Sequence, residues 1–473
     1  MVVKTVAETG ARIERKWLVL LAVGVGTFMS ALDASVVNTV LPVINRSLAS
    51  RVAVSQWTVT AYLLVVSGLL LTFGRLGDLR GHKRFYVAGF AVFVIASALC
   101  GVAPSAAALI ASRTLQAVGA AILFANSPAI LTANFPPTQR GEALGWQATM
   151  TYIGLTLGPA LGGYIAGRFT WRAVFYLNVP VGLLALWLSI HFVPDDARDA
   201  GLRLGQSFDL AGAVLWICGL LALLLGLDKG HEWGWSSATI IFLLVSSLAL
   251  LGAFVAVEAR VTDPMLDLKL FRSRSFSAAT VSAVLNFVCI YSTAFLLPFY
   301  LIQARGLSPA RTGLLLTAQS LVRAVIAPAS GTLSDRIGTH IPAMLGMGIT
   351  AVAMFLFSRV GPGSSFAYVI LALVIVGLGT GLFVSPNSSA LMGSAPFNRQ
   401  GIAAATLATA RNVGMVLGVG SAGAVFTTAL AADHSPAAIA VSHSVAAGFL
   451  MATTVALLGV PICAAAGSRP PQS

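Results

Sequence analysis

Long apolar runs separated by short charged stretches dominate the sequence. No Asp, Glu, Lys or Arg occurs between Arg84 and Arg113, or between Arg359 and Arg399. Each gap exceeds the roughly 20 residues that an α-helix needs to cross a bilayer. The runs are continuously apolar rather than alternating. This favours helices over the strands of a barrel, because lipid offers backbone groups no partner outside the helix. The pattern predicts a multi-pass α-helical membrane protein.

Charges, glycines and prolines divide the chain into fourteen predicted spans. Their approximate bounds are 17–41, 54–75, 85–103, 106–133, 141–167, 173–193, 209–228, 236–257, 275–302, 309–333, 341–358, 365–393, 401–430 and 441–465. An even number places both termini on one side of the membrane. About 18 of the 29 Lys and Arg residues flank that side and about 8 flank the other, so the positive-inside rule predicts cytoplasmic termini in the cell (cytoplasmic or inner) membrane.

The composition agrees with this prediction and narrows the function. Hydrophobic residues make up 57% of the chain and charged residues only 10%, far below the quarter typical of soluble domains. The net charge of +13 lies mostly in the cytoplasmic loops between spans, so we read it as an orientation signal and expect no nucleic-acid partner. The sequence offers no nucleotide loop, metal-ligand spacing or nucleophile arrangement. We therefore expect neither an enzyme nor a bound metal or cofactor.

An internal repeat divides the chain. The string Gly-x-Leu-x-Asp-x-x-Gly at 74–81 recurs at 331–338, and six further positions recur at an offset of 260 residues. The repeat predicts two six-helix halves, 1–193 and 275–473, joined by a segment at 194–274 that holds a linker and two extra helices. Parallel repeats of this kind suit a transporter with its binding site near the midplane. The alternative is chance coincidence in a chain with 46 glycines.

The loop between spans two and three reads Gly-Arg-Leu-Gly-Asp-Leu-Arg-Gly-His-Lys-Arg from 74 to 84. Glycine suits both a tight turn and a close approach of helices. Asp78 can pair with a local Arg and cap the N-terminus of a neighbouring helix. The alternative is a basic loop that serves topology alone. The residues predicted to form a cytoplasmic gate are Gly74, Asp78, Arg80, Gly81, Lys83 and Arg84.

This loop resembles the signature of the major facilitator superfamily. The stretch Leu-Asp-Ala-Ser-Val-Val-Asn-Thr-Val-Leu-Pro at 32–42 is similar to the motif of its drug:proton antiporter branches. The segments Trp171–Gly182 and Trp233–Trp235 resemble the fourteen-helix, EmrB/QacA-like multidrug efflux branch. The resemblance covers nearly the whole chain. It implies an all-α integral membrane protein with the major facilitator fold, two six-helix halves and a two-helix central insertion.

Asp33 is the only acidic residue predicted deep inside a span. A buried carboxylate costs several kcal/mol unless it is paired or protonated, so it is a functional candidate. At 1.5 Å per residue, Asp33 lies about 24 Å from the cytoplasmic start of span one, and Arg113 lies about 10 Å below the outer face. The two side chains can therefore meet.

The resemblance also extends to span four, where the family's motif arginine is associated with proton transfer. Our hypothesis is that Asp33 takes up and releases the coupling proton. Arg113 then stabilises the charged carboxylate in one conformation and releases it in the other. The alternative is a static pair that holds spans one and four together.

A glycine-rich motif in span five is similar to the antiporter motif of the family, and it implies exchange rather than uniport. Its residues are Gly154, Gly158, Pro159, Gly162 and Gly163. Three of the glycines recur every four residues and therefore share one helix face, which allows close contact with a neighbouring helix. The proline is expected to kink the helix. The alternative is ordinary helix packing.

Arginines and other polar residues inside the spans are candidates for a substrate cavity. Arg323 and Arg411 lie inside predicted spans, and no acidic residue is predicted at a similar depth. We expect these two arginines to disfavour dications and to tolerate neutral, zwitterionic or anionic compounds. Each residue alternatively packs between helices or snorkels to an interface. The candidates are Asn38, Tyr62, Gln116, Asn126, Trp146, Tyr152, Asn286, Tyr291, Gln319, Arg323, Asn387 and Arg411.

Together these features predict proton-coupled efflux of hydrophobic or amphipathic drugs or other small molecules by alternating access, with the proton as coupling ion. One alternative is a dedicated exporter of an endogenous metabolite, antibiotic, siderophore or lipid. Another is a nutrient uniporter or symporter. The expected partners are a small-molecule substrate and the lipid bilayer. We expect a monomer, working alone or with accessory export proteins.

Overall fold

The computed structural model describes residues 2–48, 52–195, 208–234, 236–261, 264, 266, 268–307 and 309–466. Most of the linker predicted after span six lies outside these ranges. Several side chains within described helices, including Asn38 and Pro159, also lie outside the described part.

Fourteen α-helices form in the described ranges. They are α1 (Val2–Ser47), α2 (Val52–Arg80), α3 (His82–Val102), α4 (Ala106–Asn134), α5 (Arg140–Arg168), α6 (Trp171–Phe192), α7 (Leu210–Trp233), α8 (Ala238–Glu258), α9 (Arg274–Phe299), α10 (Pro309–Ile337), α11 (His340–Phe357), α12 (Phe366–Ser394), α13 (Gln400–Ala432) and α14 (Ala437–Ala465). Each predicted span coincides with one helix. The all-helical prediction is confirmed.

Thirteen of these helices are long and apolar enough to cross a membrane, by length and composition within the described residues. The exception is α5, which has 29 residues but is rich in glycine and threonine. Helix α1 begins at Val2, before the predicted start at residue 17, and α2 ends at Arg80, after the predicted end at residue 75. Helical backbone therefore continues beyond the apolar core in both cases.

The chain forms two compact units. The first contains Met1–Ile217, Val257–Leu266 and Ala395–Ala408, and the second contains Cys218–Ala256, Asp267–Ser394 and Thr409–Ser473. In the first unit α3 packs against α4 and α6, α2 against α4, and α1 against α5 and α6. In the second unit α11 packs against α12 and α14, α10 against α12, and α9 against α14. Four pairings therefore recur eight helices later, while the predicted boundaries of the halves stay a prediction.

Glycine pairs bring the equivalent helices close together. A Cβ atom on Gly119 of α4 would lie 2.9 Å from the carbonyl oxygen of Gly89 in α3. A Cβ on Gly379 of α12 would lie 2.8 Å from the carbonyl oxygen of Gly346 in α11. Small residues at such crossings allow the backbones to pack directly, which is how helices associate where lipid and protein are equally apolar.

Glycine is also needed at the turn between α2 and α3. Gly81 has φ 98°, and Gly338, at the equivalent turn between α10 and α11, has φ 91°. Side chains with a Cβ rarely adopt this conformation. We expect Gly81→Ala to lower the free energy of unfolding by about 1–3 kcal/mol, measured by denaturation of the purified protein in detergent.

Gly361→Ala is the matched control for that turn. Gly361 lies in the loop after α11, and a Cβ there would meet nothing within 4 Å. Its backbone φ is outside the positive range. Equal stability losses in the two variants would show that strain at Gly81 is not the cause.

Candidate functional site

A buried polar network joins α1, α4 and α6 within the first unit. Asp33 of α1 is fully buried, and Arg113, Gln116 and Asn178 are at most 1% exposed. The Arg113 Nη1 donates to Asp33 Oδ2 at 2.6 Å. Gln116 Nε2 and Asn178 Nδ2 donate to Asp33 Oδ1 at 3.1 Å and 2.7 Å. The carboxylate therefore accepts three hydrogen bonds from three residues on two helices.

The arginine is held in place from several sides. Arg113 and Gln116 share one face of α4 because they are three residues apart, and Arg113 Nη1 also donates to Gln116 Oε1 at 2.6 Å. From α2, the Thr58 carbonyl accepts a bond from Arg113 Nε at 3.3 Å, and the ring of Tyr62 lies 4.1 Å from the guanidinium carbon. The cation–π contact adds attraction in a desolvated setting.

This network can hold a charge pair away from water. A carboxylate and a guanidinium compensate each other's desolvation only when the geometry is good and the remaining polar atoms are bonded. Removing one partner of such a pair leaves an uncompensated charge, at a cost of about 3–5 kcal/mol. Asp33 and Arg113, which the sequence predicts to meet, are in direct contact. Asn178 and Ser97, which accepts a 2.8 Å hydrogen bond from Gln116 Nε2, were not predicted as site residues.

A second cluster lies at the turn between α2 and α3. Asp78 Oδ1 accepts a hydrogen bond from the backbone N–H of Gly401 at 2.8 Å, and Oδ2 accepts one from Ile402 at 3.0 Å. Both N–H groups are in the first turn of α13, where no intrahelical acceptor is available. An anion is favoured there by the helix dipole. Asp78 thus caps a helix that begins in the first unit.

Close packing accompanies this cap. A Cβ on Gly74 would lie 2.7 Å from the Cβ of Ala405 and would also meet the carbonyl oxygen of Gly401. Of the other predicted gate residues, Arg80 and Arg84 are exposed, and Lys83 forms an ion pair with Asp195 at 3.0 Å.

His82 is a side-chain partner of Asp78. Its Nε2 lies 3.4 Å from Asp78 Oδ1, and its Nδ1 lies 2.8 Å from Oδ1 of Asn126. Asn126, a predicted cavity residue, is thus buried beside the loop. Its amide also donates to the Ile122 carbonyl at 2.8 Å. His82 belongs to the loop motif at residues 74–84, but the sequence of that motif does not show which of its basic residues faces Asp78.

We expect Asp78→Ala to lower the free energy of unfolding by about 0.5–2 kcal/mol, the usual cost of losing a helix cap. Denaturation of the purified protein in detergent measures the change. Asp195→Asn is the control, since Asp195 is exposed and surface pairs contribute at most about 1 kcal/mol. A loss at Asp78 no larger than at Asp195 would contradict the cap.

The glycine motif of α5 faces α1. A Cβ on Gly154 would lie 2.6 Å from the carbonyl oxygen of Phe28, and one on Gly162 would lie 2.6 Å from Val36 Cγ2. Gly158 approaches Ser35 and the Leu32 carbonyl in the same way. Gly163 has nothing within 4 Å. The side chain of Pro159 lies outside the described part.

The same contact recurs in the second unit. Cβ atoms on Gly414 and Gly418 of α13 would each lie 2.6 Å from a carbonyl oxygen of α9, those of Val284 and Val288. Glycine contacts thus join α1 to α5 and α9 to α13.

Several predicted cavity residues form hydrogen bonds with other residues of the same unit. Arg323 donates to Thr380 Oγ1 at 2.7 Å and to Gln319 Oε1 at 3.1 Å. Asn387 accepts from Ser282 at 2.8 Å and donates to the Ala279 carbonyl at 3.0 Å. These contacts tie α10 to α12 and α12 to α9.

The remaining cavity candidates differ in burial and in their contacts. Asn286 is buried and donates to the sulfur of Met347 at 3.7 Å. Tyr152 is buried, and Tyr291 and Arg411 are half-buried. Trp146 borders an apolar cleft of about 190 Å³ between α1 and α5, lined by Trp17, Leu20, Leu21, Gly24, Val25 and Met150. The side chain of Asn38 lies outside the described part. Trp146 and Tyr152 lie in the first unit, and Asn286, Tyr291 and Arg411 lie in the second.

A sequence profile described as Major Facilitator Superfamily matches residues 23–419 of this chain. The chain belongs to the major facilitator superfamily. This member is similar over 95% of its length to the riboflavin transporter RibZ of Clostridioides difficile (strain 630), with 33% identity and 97% of RibZ covered. It is 34% identical over 89% of its length to the multidrug resistance protein Stp of Mycobacterium tuberculosis, covering 77% of Stp.

Solved structures show the same fold. The human organic anion transporter MFSD10 (TETRAN) aligns with a TM-score of 0.70 over 95% of this superfamily member and 99% of MFSD10, at 16% identity. As a member of the superfamily, the chain is a multi-pass transporter of the cell membrane, and its fold is the major facilitator fold.

Proposed function

We propose that this protein is a proton-coupled exporter of hydrophobic or amphipathic small molecules, of the fourteen-helix drug:proton antiporter branch, with both termini in the cytoplasm. One observation carries the proposal. Asp33 and Arg113 form a fully buried pair at 2.6 Å between α1 and α4. Ionisable residues inside a membrane are costly and mark ion or substrate pathways.

The pair suggests how a proton is exchanged. When Asp33 is ionised, its charge is balanced by Arg113. When Asp33 binds a proton, the attraction disappears and the guanidinium is free to find other acceptors. A conformational cycle that opens Asp33 first to the outside and then to the cytoplasm moves one proton inward, and the substrate leaves in the opposite direction.

The Asp78 cap supplies a candidate gate for this cycle. Its two hydrogen bonds to the N-terminus of α13 hold one conformation, and we propose that they break in the other. Since α13 begins in the first unit and continues into the second, this bond acts on a helix shared by both.

Similarity to Stp, named as a multidrug resistance protein, favours a broad substrate range. Similarity to RibZ, named as a riboflavin transporter, covers nearly the whole of both chains and favours a second candidate, the transport of one planar metabolite such as riboflavin.

Reconstitution into liposomes with an imposed pH gradient tests the proposal. We expect a gradient of either sign to drive accumulation of dyes or antibiotics on the side with the higher proton concentration. Riboflavin transport, measured by riboflavin fluorescence, separates the two candidates. Movement of riboflavin without movement of dyes or antibiotics would favour the second. Transport that proceeds at the same rate with and without the gradient would overturn proton coupling, and transport with the proton gradient rather than against it would indicate symport.

A further inference from the structure

One buried atom of the network has no bonding partner among the described residues. Asn178 is 1% exposed, and its Nδ2 donates to Asp33 Oδ1 at 2.7 Å. Its own Oδ1 is buried and accepts no hydrogen bond from any described group. Burying an acceptor without a partner costs about 1–3 kcal/mol, so the position calls for an explanation.

The second amide on the same carboxylate is different. Gln116 uses both of its ends, because Nε2 donates to Asp33 and Ser97, and Oε1 accepts from Arg113. Rotation of this amide would break all three bonds. The side chain of Asn178 is held by one hydrogen bond. Rotation about its Cβ–Cγ bond therefore exchanges the positions of the amide nitrogen and oxygen and breaks only that hydrogen bond.

The two protonation states of Asp33 need opposite partners at this point. An ionised carboxylate only accepts hydrogen bonds, whereas a neutral one carries an O–H that must donate. The amide nitrogen of Asn178 suits the first state, and an O–H facing that nitrogen would meet another donor. The unpartnered Oδ1 suits the second state after rotation.

We propose that Asn178 is a positioning residue that turns its amide when Asp33 takes up a proton, so that the buried network stabilises both forms of the carboxyl group. The inference rests on the proposed role of Asp33 as proton carrier. On uptake, a proton from water forms an O–H bond with Asp33 Oδ1, and that O–H donates to Asn178 Oδ1. On release the O–H bond breaks, the proton returns to water, and Asn178 Nδ2 again donates to the carboxylate.

The titratable and charged groups near Asp33 are engaged elsewhere, so Asn178 is the residue that we expect to accept the hydrogen bond from the protonated carboxyl group. Arg113 of α4 is a donor only and bonds the other carboxylate oxygen. Cys100 of α3 is directed at Gln116 Oε1, 3.8 Å away. Tyr62 of α2 presents its ring to Arg113. Gln116 Oε1 is occupied by the guanidinium.

Infrared difference spectroscopy of the purified full-length protein, acid minus neutral, tests the inference. A protonated carboxyl group gives a C=O stretching band whose frequency falls when its O–H donates a hydrogen bond. Asp33→Asn identifies the Asp33 band by removing it. We expect the wild-type band at the frequency of a hydrogen-bonded carboxyl, and we expect Asn178→Leu, of similar volume, to shift it upward.

Asn178→Val is a second variant of the same kind, in case Leu prevents folding. Ser189→Ala is the matched control, because Ser189 lies three turns further along α6 and its hydroxyl donates to the Ala185 carbonyl. This control should leave the band in place.

The outcomes separate the two proposals. The absence of any band that Asp33→Asn removes would mean that Asp33 does not bind a proton, and the proposed function would fail. A band present in the wild type at the frequency of a free carboxyl, or unmoved by Asn178→Leu or Asn178→Val, would overturn the role of Asn178 while leaving proton binding intact. The wild-type frequency decides the point even if neither variant folds.

Discussion

Asp33→Asn is expected to abolish transport driven by a pH gradient while the chain still inserts into the membrane. Asparagine cannot bind the proton, but its amide oxygen can still accept hydrogen bonds from Gln116 and Asn178. Arg113 loses its counter-ion, so stability should fall by up to about 3–5 kcal/mol. The measurement compares gradient-driven substrate movement in liposomes containing equal amounts of each protein.

Asp195→Asn is the control for this variant, because it removes an equal charge from an exposed position. It should transport like the wild type. Gel-filtration profiles in detergent show whether each variant is folded. Full gradient-driven transport by folded Asp33→Asn would refute Asp33 as the proton carrier.

Gly154→Leu is expected to destabilise the protein by about 3 kcal/mol, the upper end of the usual cost of overpacking. A Cβ at this position would lie 2.6 Å from the Phe28 carbonyl oxygen and 3.0 Å from the Leu32 nitrogen. Both are backbone atoms, so α1 and α5 would have to separate. Because α1 carries Asp33, we also expect transport to fall. Denaturation in detergent and transport in liposomes measure the two effects.

The same helix provides the control. A Cβ at Gly163 would meet nothing within 4 Å, so Gly163→Leu adds the same side chain without a backbone contact. It should change the unfolding free energy by less than about 0.5 kcal/mol, as is usual away from packed sites. If both variants lose equal stability, helix composition and not the α1–α5 contact is the cause.

The sequence was sufficient for the helices and for the main charge pair. Long uncharged runs located fourteen helices, because a bilayer fixes the length of an apolar span. Counting residues along spans one and four placed Asp33 and Arg113 in the outer half of the membrane, and the structure shows them in contact. Depth follows directly from the rise of a helix.

The sequence does not show which way each side chain points around the axis of its helix. In a soluble helix the polar face shows which side is exposed, but lipid and protein interior are both apolar, so hydropathy does not distinguish the faces of a span. The sequence therefore shows Asn178 only as part of a motif, although its side chain bonds to Asp33. Asn126 was assigned to a cavity, although it bonds to His82. An amide suits either environment, and only the packing of α3, α4 and α6 decides.

The Asp78 cap has a consequence for how the protein is made. The acceptor and its two donors are separated by 323 and 324 residues. At about 5–20 residues per second, a ribosome needs tens of seconds to synthesise that interval. The Asp78 carboxylate stays uncapped throughout this time, and the first six helices, which end at Phe192, are complete long before Gly401 is made. The newly made first half must therefore persist in the membrane as an incomplete folding intermediate, and a nascent chain stalled before Gln400 should be more readily degraded than one stalled after α13.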